Sequence, residues 1–159
     1  MKARYYFAYG SNCNLGQMAQ RCPNAVKVGP ATLCNYVLTF NGKTNGWGVA
    51  NILRQKGERV DGLLWKITSE CEESLDCYEG FPRLYVKRDI TVYGPDGKGY
   101  KAMAYVMAPE YNWPAVPSQY YYNGIAAGFI QNGIPINSLV KALRQTILLI
   151  KKIQGLSVV

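Results

Sequence analysis

Arg4-Tyr5-Tyr6-Phe7-Ala8-Tyr9-Gly10-Ser11-Asn12 is the stretch from which the fold is read. Arg4 to Tyr9 is aromatic and apolar and reads as a central strand. At Gly10 it breaks into a turn that opens a helix. Asn12 or Asn14 caps that helix, which stops before Pro23 because the residue before proline disfavours helical backbone. Such a strand–glycine–helix junction presents backbone N–H groups to an anion. A second segment, Leu75-Asp76-Cys77-Tyr78-Glu79-Gly80-Phe81-Pro82, sets one carboxylate beside a glycine at the end of an apolar stretch. A negative charge at a helix C-terminus opposes the helix dipole, so Glu79 sits where local energetics do not favour it. Asp76, on the same segment, reads as structural or as orienting its neighbours. An anion cradle plus a solitary acid/base is the minimum equipment for acyl transfer without a covalent intermediate.

Working outward, Val26 to Phe40 reads as extended, with a bend near Gly29-Pro30. Asn41-Gly42 and Asn45-Gly46 are turn signals. Val49 to Leu53 and Val60 to Ile67 read as two strands, joined by a hairpin turn at Lys56-Gly57-Glu58. Ser69-Glu70-Cys71-Glu72 fits a capping box for a helix to about Tyr78, closed by Gly80. Tyr85 to Tyr93 and Tyr100 to Met107 are strands joined through Gly94-Pro95-Asp96-Gly97. Ser118 opens a helix that Gly133 closes. Asn137 or Ser138 caps a last helix to about Gln154, with Leu139, Leu143, Ile147 and Ile150 on one face. Strands early and helices late predict an α+β fold, its mixed or antiparallel sheet curling into a small barrel. The length suits one domain over residues 1–159.

Composition narrows the chemistry. The chain has no histidine and only 10 Asp and Glu. This removes Ser-His-Asp and Cys-His nucleophile pairs and the usual general base. Five cysteines, none in a Cys-x-x-Cys pair, signal no zinc site. They read as buried reduced thiols, and with no signal-peptide pattern and no membrane-length apolar stretch the expected compartment is the cytoplasm. The net charge of +8 is scattered, with no cationic run longer than Lys87-Arg88 or Lys151-Lys152. That pattern fits attraction of small anions better than nucleic-acid binding. Dinucleotide and P-loop fingerprints are missing. Tyr85, Tyr105 and Tyr120 read, by spacing alone, as core aromatics with a wet hydroxyl.

Tyr6-Phe7-Ala8-Tyr9-Gly10-Ser11-Asn12 resembles the opening signature of the γ-glutamylcyclotransferases. Further matches follow in the family's order: Gly46-Trp47-Gly48-Val49-Ala50-Asn51-Ile52, Gly62-Leu63-Leu64-Trp65-Lys66, Leu75-Asp76 with Glu79-Gly80, Tyr85-Val86, Ser118-Gln119-Tyr120 and Asn132-Gly133-Ile134-Pro135. The resemblance runs from Tyr5 to about Pro135 and leaves out the final helix. It departs at Cys13, where the family often has an aliphatic residue of similar volume.

The resemblance implies a small mixed β-barrel with flanking helices, no metal and no cofactor. It implies cleavage of a γ-glutamyl amide to 5-oxoproline and a free amine. On this chain it makes Glu79 the catalytic acid/base and Tyr9, Gly10, Ser11 and Asn12 the substrate loop. Tyr85, Tyr105 and Tyr120 become pocket tyrosines. The expected partner is a small γ-glutamyl molecule, most naturally a γ-glutamyl amino acid, with no nucleic acid and no membrane. A homodimer through the last helix's apolar face is expected. Two alternatives stay open: a cyclotransferase for γ-glutamyl amines or γ-glutamyl-protected antibiotics, and a non-catalytic module that binds γ-glutamyl metabolites.

Overall fold

The computed structural model describes residues 3–42 and 46–155. β1 (Arg4–Ala8) lies inside the sheet, as its aromatic pattern predicts. It runs antiparallel to β3 (Val49–Ile67) and parallel to β5 (Gly99–Met107). β4 (Tyr85–Tyr93) pairs with β5, and β2 (Val26–Gly42) pairs with both β4 and β3. The order β3-β1-β5-β4-β2, with β2 returning to β3, closes five strands into a mixed barrel. A short β6 (Trp113–Pro114) extends from β2. Four helices flank the barrel: α1 (Leu15–Arg21), α2 (Ser69–Glu79), α3 (Gln119–Gln131) and α4 (Asn137–Ile153). The α+β barrel expectation is met. Phe7, Phe40, Ile52, Leu63, Met103 and Phe129 are fully buried, each contributing roughly 1.5–3 kcal/mol from removal of apolar surface from water.

Several local expectations are corrected. The stretches Val49 to Leu53 and Val60 to Ile67 are two halves of one strand, and Lys56-Gly57-Glu58 is no hairpin turn. Both halves pair with β2, Tyr36 opposite Arg54 and Cys34 opposite Arg59, so the chain bends there instead of reversing. Asn35, at φ 65°, accepts a hydrogen bond from the Gly57 N–H at 3.1 Å and stabilises the bend. Asn41-Gly42 ends β2 rather than turning, because both residues pair with β6. Asn45, in the second turn signal, lies outside the described residues.

Thr68, not Ser69, caps α2, its hydroxyl accepting from the Cys71 N–H at 3.2 Å. Glu72 is drawn away to Lys87 and Arg4. Neither Asn137 nor Ser138 caps α4, whose N-cap position is Ile136 without a side-chain bond. α4 buries Leu139, Ala142 and Thr146, while Ile147 on the expected face is exposed. Of the cysteines, Cys13, Cys22 and Cys71 are buried, whereas Cys34 and Cys77 are exposed.

The Gly10 turn becomes a single 3-10 turn, Ser11–Cys13, followed by α1. Asn14 caps α1 by accepting from the Gln17 N–H at 3.1 Å, and its amide donates to the Gly124 carbonyl at 2.9 Å. Asn132 donates to the Cys13 carbonyl at 2.9 Å. α3 thus clamps the turn from outside. It comes this close because Gly128 has no side chain: a Cβ there would stand 2.5 Å from the Asn14 nitrogen. Gly128→Ala is expected to cost about 1–3 kcal/mol, since either backbone must move. Thermal unfolding should show the midpoint lowered by roughly 3–10 °C, and an unchanged midpoint would mean that α3 does not set the position of the turn.

Candidate active site

At one end of the barrel a cavity of about 200 Å³ opens between the 3-10 turn, the end of α2, the start of β4 and the end of β5. Its walls include Tyr6, Tyr9, Gly10, Ser11, Asn12, Tyr78, Glu79, Tyr85, Tyr105 and Tyr121. α2 delivers Glu79 as its last residue. Gly80 follows at φ 66°, a left-handed conformation that glycine adopts without strain, and ends the helix there.

The tyrosines are fixed by hydrogen bonds that their hydroxyls make to other protein groups. Tyr9 donates to the Tyr105 carbonyl at 2.5 Å, and Tyr85 to the Ala50 carbonyl at 2.6 Å. The Tyr121 hydroxyl accepts from the Ala50 N–H at 2.9 Å. Tyr105 donates to Asp76 at 2.6 Å, and Lys87 holds Asp76 from the other side at 2.9 Å. Asp76 therefore orients Tyr105, in line with its reading as an orienting residue. The turn is tied just as firmly. Asn12 is buried, its amide donating to the Tyr6 hydroxyl at 3.0 Å and its carbonyl accepting from the Trp65 indole at 3.0 Å.

Burial pushes the hydroxyls of Tyr6, Tyr9, Tyr85, Tyr105 and Tyr121 well above their ordinary range, so they stay neutral donors. Burial also raises the Glu79 carboxyl, from 4.5 to about 7, against the opposing charge of Arg21. A carboxyl poised near neutrality both accepts and returns a proton under ordinary conditions, which is what acid/base chemistry asks of a single residue.

The structure brings Tyr9, Gly10, Ser11, Asn12, Glu79, Tyr85 and Tyr105 around one cavity. Tyr120 is not among them. It lies 88% exposed on the outer side of α3, and Tyr121 takes the pocket position instead. Adjacent helical residues point about 100° apart, so one residue of phase moves the side chain from pocket to solvent. Ser118 sets that phase by capping at the Tyr121 N–H, 3.2 Å away. Sequence reasoning also missed Tyr6, Tyr78 and Arg21. Tyr6 lies within the quoted opening stretch and Tyr78 precedes Glu79, so proximity to the motifs was a usable signal. Arg21 carried none.

Residues 6–123 match the family model described as gamma-glutamyl cyclotransferase, AIG2-like. The gamma-glutamylcyclotransferase of Bos taurus is 36% identical over 139 residues, covering 82% of this chain and 72% of that protein. Its Homo sapiens counterpart is 34% identical over 138 residues, with the same coverage of 82% and 72%. A solved structure named gamma-glutamyl cyclotransferase superposes with a TM-score of 0.78 at 32% identity, over 89% of this chain and 86% of that one. A yeast structure described as a glutathione-specific γ-glutamyl cyclotransferase shares the fold alone. Its TM-score is 0.65 at 13% identity, over 92% of this chain and 96% of that one.

The raised carboxyl has a consequence for stability. The folded protein holds the Glu79 proton up to about pH 7, the unfolded chain only to about 4.5. Between these values the folded state binds more protons, so this group's effect on stability worsens as pH rises, and the penalty is complete above 7. Glu79→Gln removes the penalty. Urea unfolding should find the variant more stable than the parent by about 1–3 kcal/mol at pH 8 and equal to it near pH 4. Equal stability at both values would mean that Glu79 is not strained by burial.

Proposed function

This chain belongs to the gamma-glutamyl cyclotransferase, AIG2-like family, and from that premise we propose that Glu79 is the acid/base of its intramolecular aminolysis. The enzyme is a γ-glutamylcyclotransferase, acting on small γ-glutamyl molecules. The observation that carries the residue assignment is the geometry of Glu79. It is the one carboxylate lining the tyrosine cavity among the described residues, with its proton affinity moved to about 7.

The substrate brings its own nucleophile. Its α-amine folds back onto the γ-carbonyl, a C–N bond forms, and a five-membered lactam closes as the amide C–N bond to the leaving amine breaks. Holding that folded conformer supplies effective molarities on the order of 10⁵ M or more, so positioning by the rigid tyrosine wall does much of the work. Ionised Glu79 takes a proton from the attacking amine. It then passes the proton to the departing nitrogen, returning to its starting state. Backbone N–H groups of the Gly10–Asn12 turn supply donors for the α-carboxylate or the developing oxyanion. The neutral tyrosine hydroxyls keep the cavity free of competing charge.

The preferred leaving group is an amino acid, a reading supported by the Tyr9-Gly10-Ser11-Asn12 stretch. The same proposal takes residues 1–159 as one domain and the cytoplasm as the compartment, supported by five free cysteines. A homodimer is supported by the apolar stretch Leu148, Leu149 and Ile153 that α4 leaves exposed.

Mass spectrometry of 5-oxoproline release from a panel of γ-glutamyl amino acids, γ-glutamyl-ε-lysine and γ-glutamyl amines tests the proposal. Glu79→Gln is expected to lose on the order of 10²–10⁴ in turnover while still binding 5-oxoproline. Near-normal turnover by this variant would remove Glu79 from the mechanism. Tyr121→Phe is expected to lower kcat/KM while Tyr120→Phe leaves it unchanged, and the reverse order would overturn the phase assigned to α3.

A further inference from the structure

We infer that Arg21 is a positioning residue, locking the Ser11–Asn12 turn to the end of α2 while its uncompensated positive charge keeps Glu79 available as a base. The inference rests on the acid/base role proposed for Glu79.

Arg21 is the last residue of α1 and is half-buried. One arm of its guanidinium donates to Asn12 Oδ1 at 2.6 Å and reaches Ser11 Oγ at 3.3 Å. The other arm donates to Gln17 Oε1 at 2.9 Å. Its flat face lies on the Tyr78 ring, 3.6 Å from the centroid, and Tyr78 immediately precedes Glu79. The Tyr78 hydroxyl in turn lies 3.1 Å from Ser11 Oγ. Turn, α1 and the last turn of α2 are thereby joined in one closed circuit. Planar bonding along the edges together with stacking on the face is a guanidinium property that lysine does not reproduce.

The chemistry of the acceptors matters as much as their number. Asn12, Ser11 and Gln17 are all neutral, and among the described residues no ion pair joins Arg21 to Glu79 or to another carboxylate. The positive charge therefore stays unspent and acts through space. Tyr6 faces Glu79 from β1, Tyr9 from just beyond it, Tyr85 from β4 and Tyr121 from α3, and all four remain neutral. Burial drives the Glu79 carboxyl to about 7, and the charge of Arg21 opposes it. Without that charge, less of the carboxyl would be ionised near neutrality and ready to take a proton from the amine. The same side chain thus serves binding through the turn and proton transfer through the field it sets up.

The test separates these effects and does not depend on turnover. The carbon-detected NMR titration of the glutamate carboxyls, with Glu79 assigned by its loss in Glu79→Gln, would be recorded for the parent, Arg21→Lys, Arg21→Met and Arg21→Gln. Circular dichroism confirms folding in each, and Arg21→Gln serves if Arg21→Met does not fold. The Glu79 midpoint is expected to rise by roughly one pH unit in the neutral variants and to stay near the parent's in Arg21→Lys. In 5-oxoproline assays the acidic limb of kcat/KM should move with it. KM should rise severalfold in all three variants, because none keeps the forked contact of one arm to the Ser11–Asn12 turn and the other to Gln17. A parental midpoint in the neutral variants, or an equal rise in Arg21→Lys, would overturn the inference. A shifted midpoint in a protein that releases no 5-oxoproline would uphold the effect of Arg21 on Glu79 and overturn the reaction assigned to the site.

Discussion

The site depends on the long pairing of β2 with β3. Seventeen residues of one strand run along nineteen of the other, bent at Asn35 and Gly57. β1 covers only Leu63 to Ile67 of β3, so among the described residues no strand pairs with the first part of β3 on that flank. Backbone polar groups left unpaired in a protein interior are costly, and here side chains satisfy them. Ala50 offers its carbonyl to Tyr85 and its N–H to Tyr121. Asn51 accepts from the Met107 N–H at 2.9 Å and bridges to β5. Two of the tyrosines that wall the cavity, Tyr85 and Tyr121, are thus placed by the open flank of one strand.

That arrangement explains why tyrosine outnumbers phenylalanine in the cavity wall. The hydroxyls of Tyr9, Tyr85 and Tyr105 reach backbone or carboxylate partners, and those of Tyr6 and Tyr78 reach the side chains of Asn12 and Ser11. The carboxylate is the group left to bear the cost of burial, and it does so by holding its proton more tightly. Stability and catalysis meet in this residue. The environment that penalises its ionised form is also the one that brings its proton affinity to where a proton can be taken and returned. A chain without histidine reaches neutral-pH acid/base chemistry in this way.

The glycines divide their roles. Gly80 ends α2 in a left-handed conformation and presents Glu79 at the helix terminus. Gly128 permits α3 to touch the 3-10 turn. Gly62 lets β3 pass Ala8, where a Cβ would stand 2.3 Å from the carbonyl oxygen. Gly128 and Gly62 bring backbone closer than a side chain allows, Gly80 supplies the left-handed turn, and all three border the elements that carry the site.

Much of the fold and site was legible in the sequence because it rests on local rules. The aromatic run before Gly10, the glycine after Glu79 and the Ser118 cap each act within a few residues, and each forms as read. What only the tertiary structure decided depends on partners far along the chain. Lys56-Gly57-Glu58 carries a turn signal, yet both flanks found β2 and the strand stayed whole. Tyr120 and Tyr121 are alike in composition, and the docking of α3 on the turn determines which one faces the cavity. Arg21 looks like any helix-end cation until Asn12 and Tyr78 come within its reach. The proton affinity of Glu79 belongs wholly to the second class, since its burial is made by elements that only the fold brings together, among them β1, β4, β5 and α3.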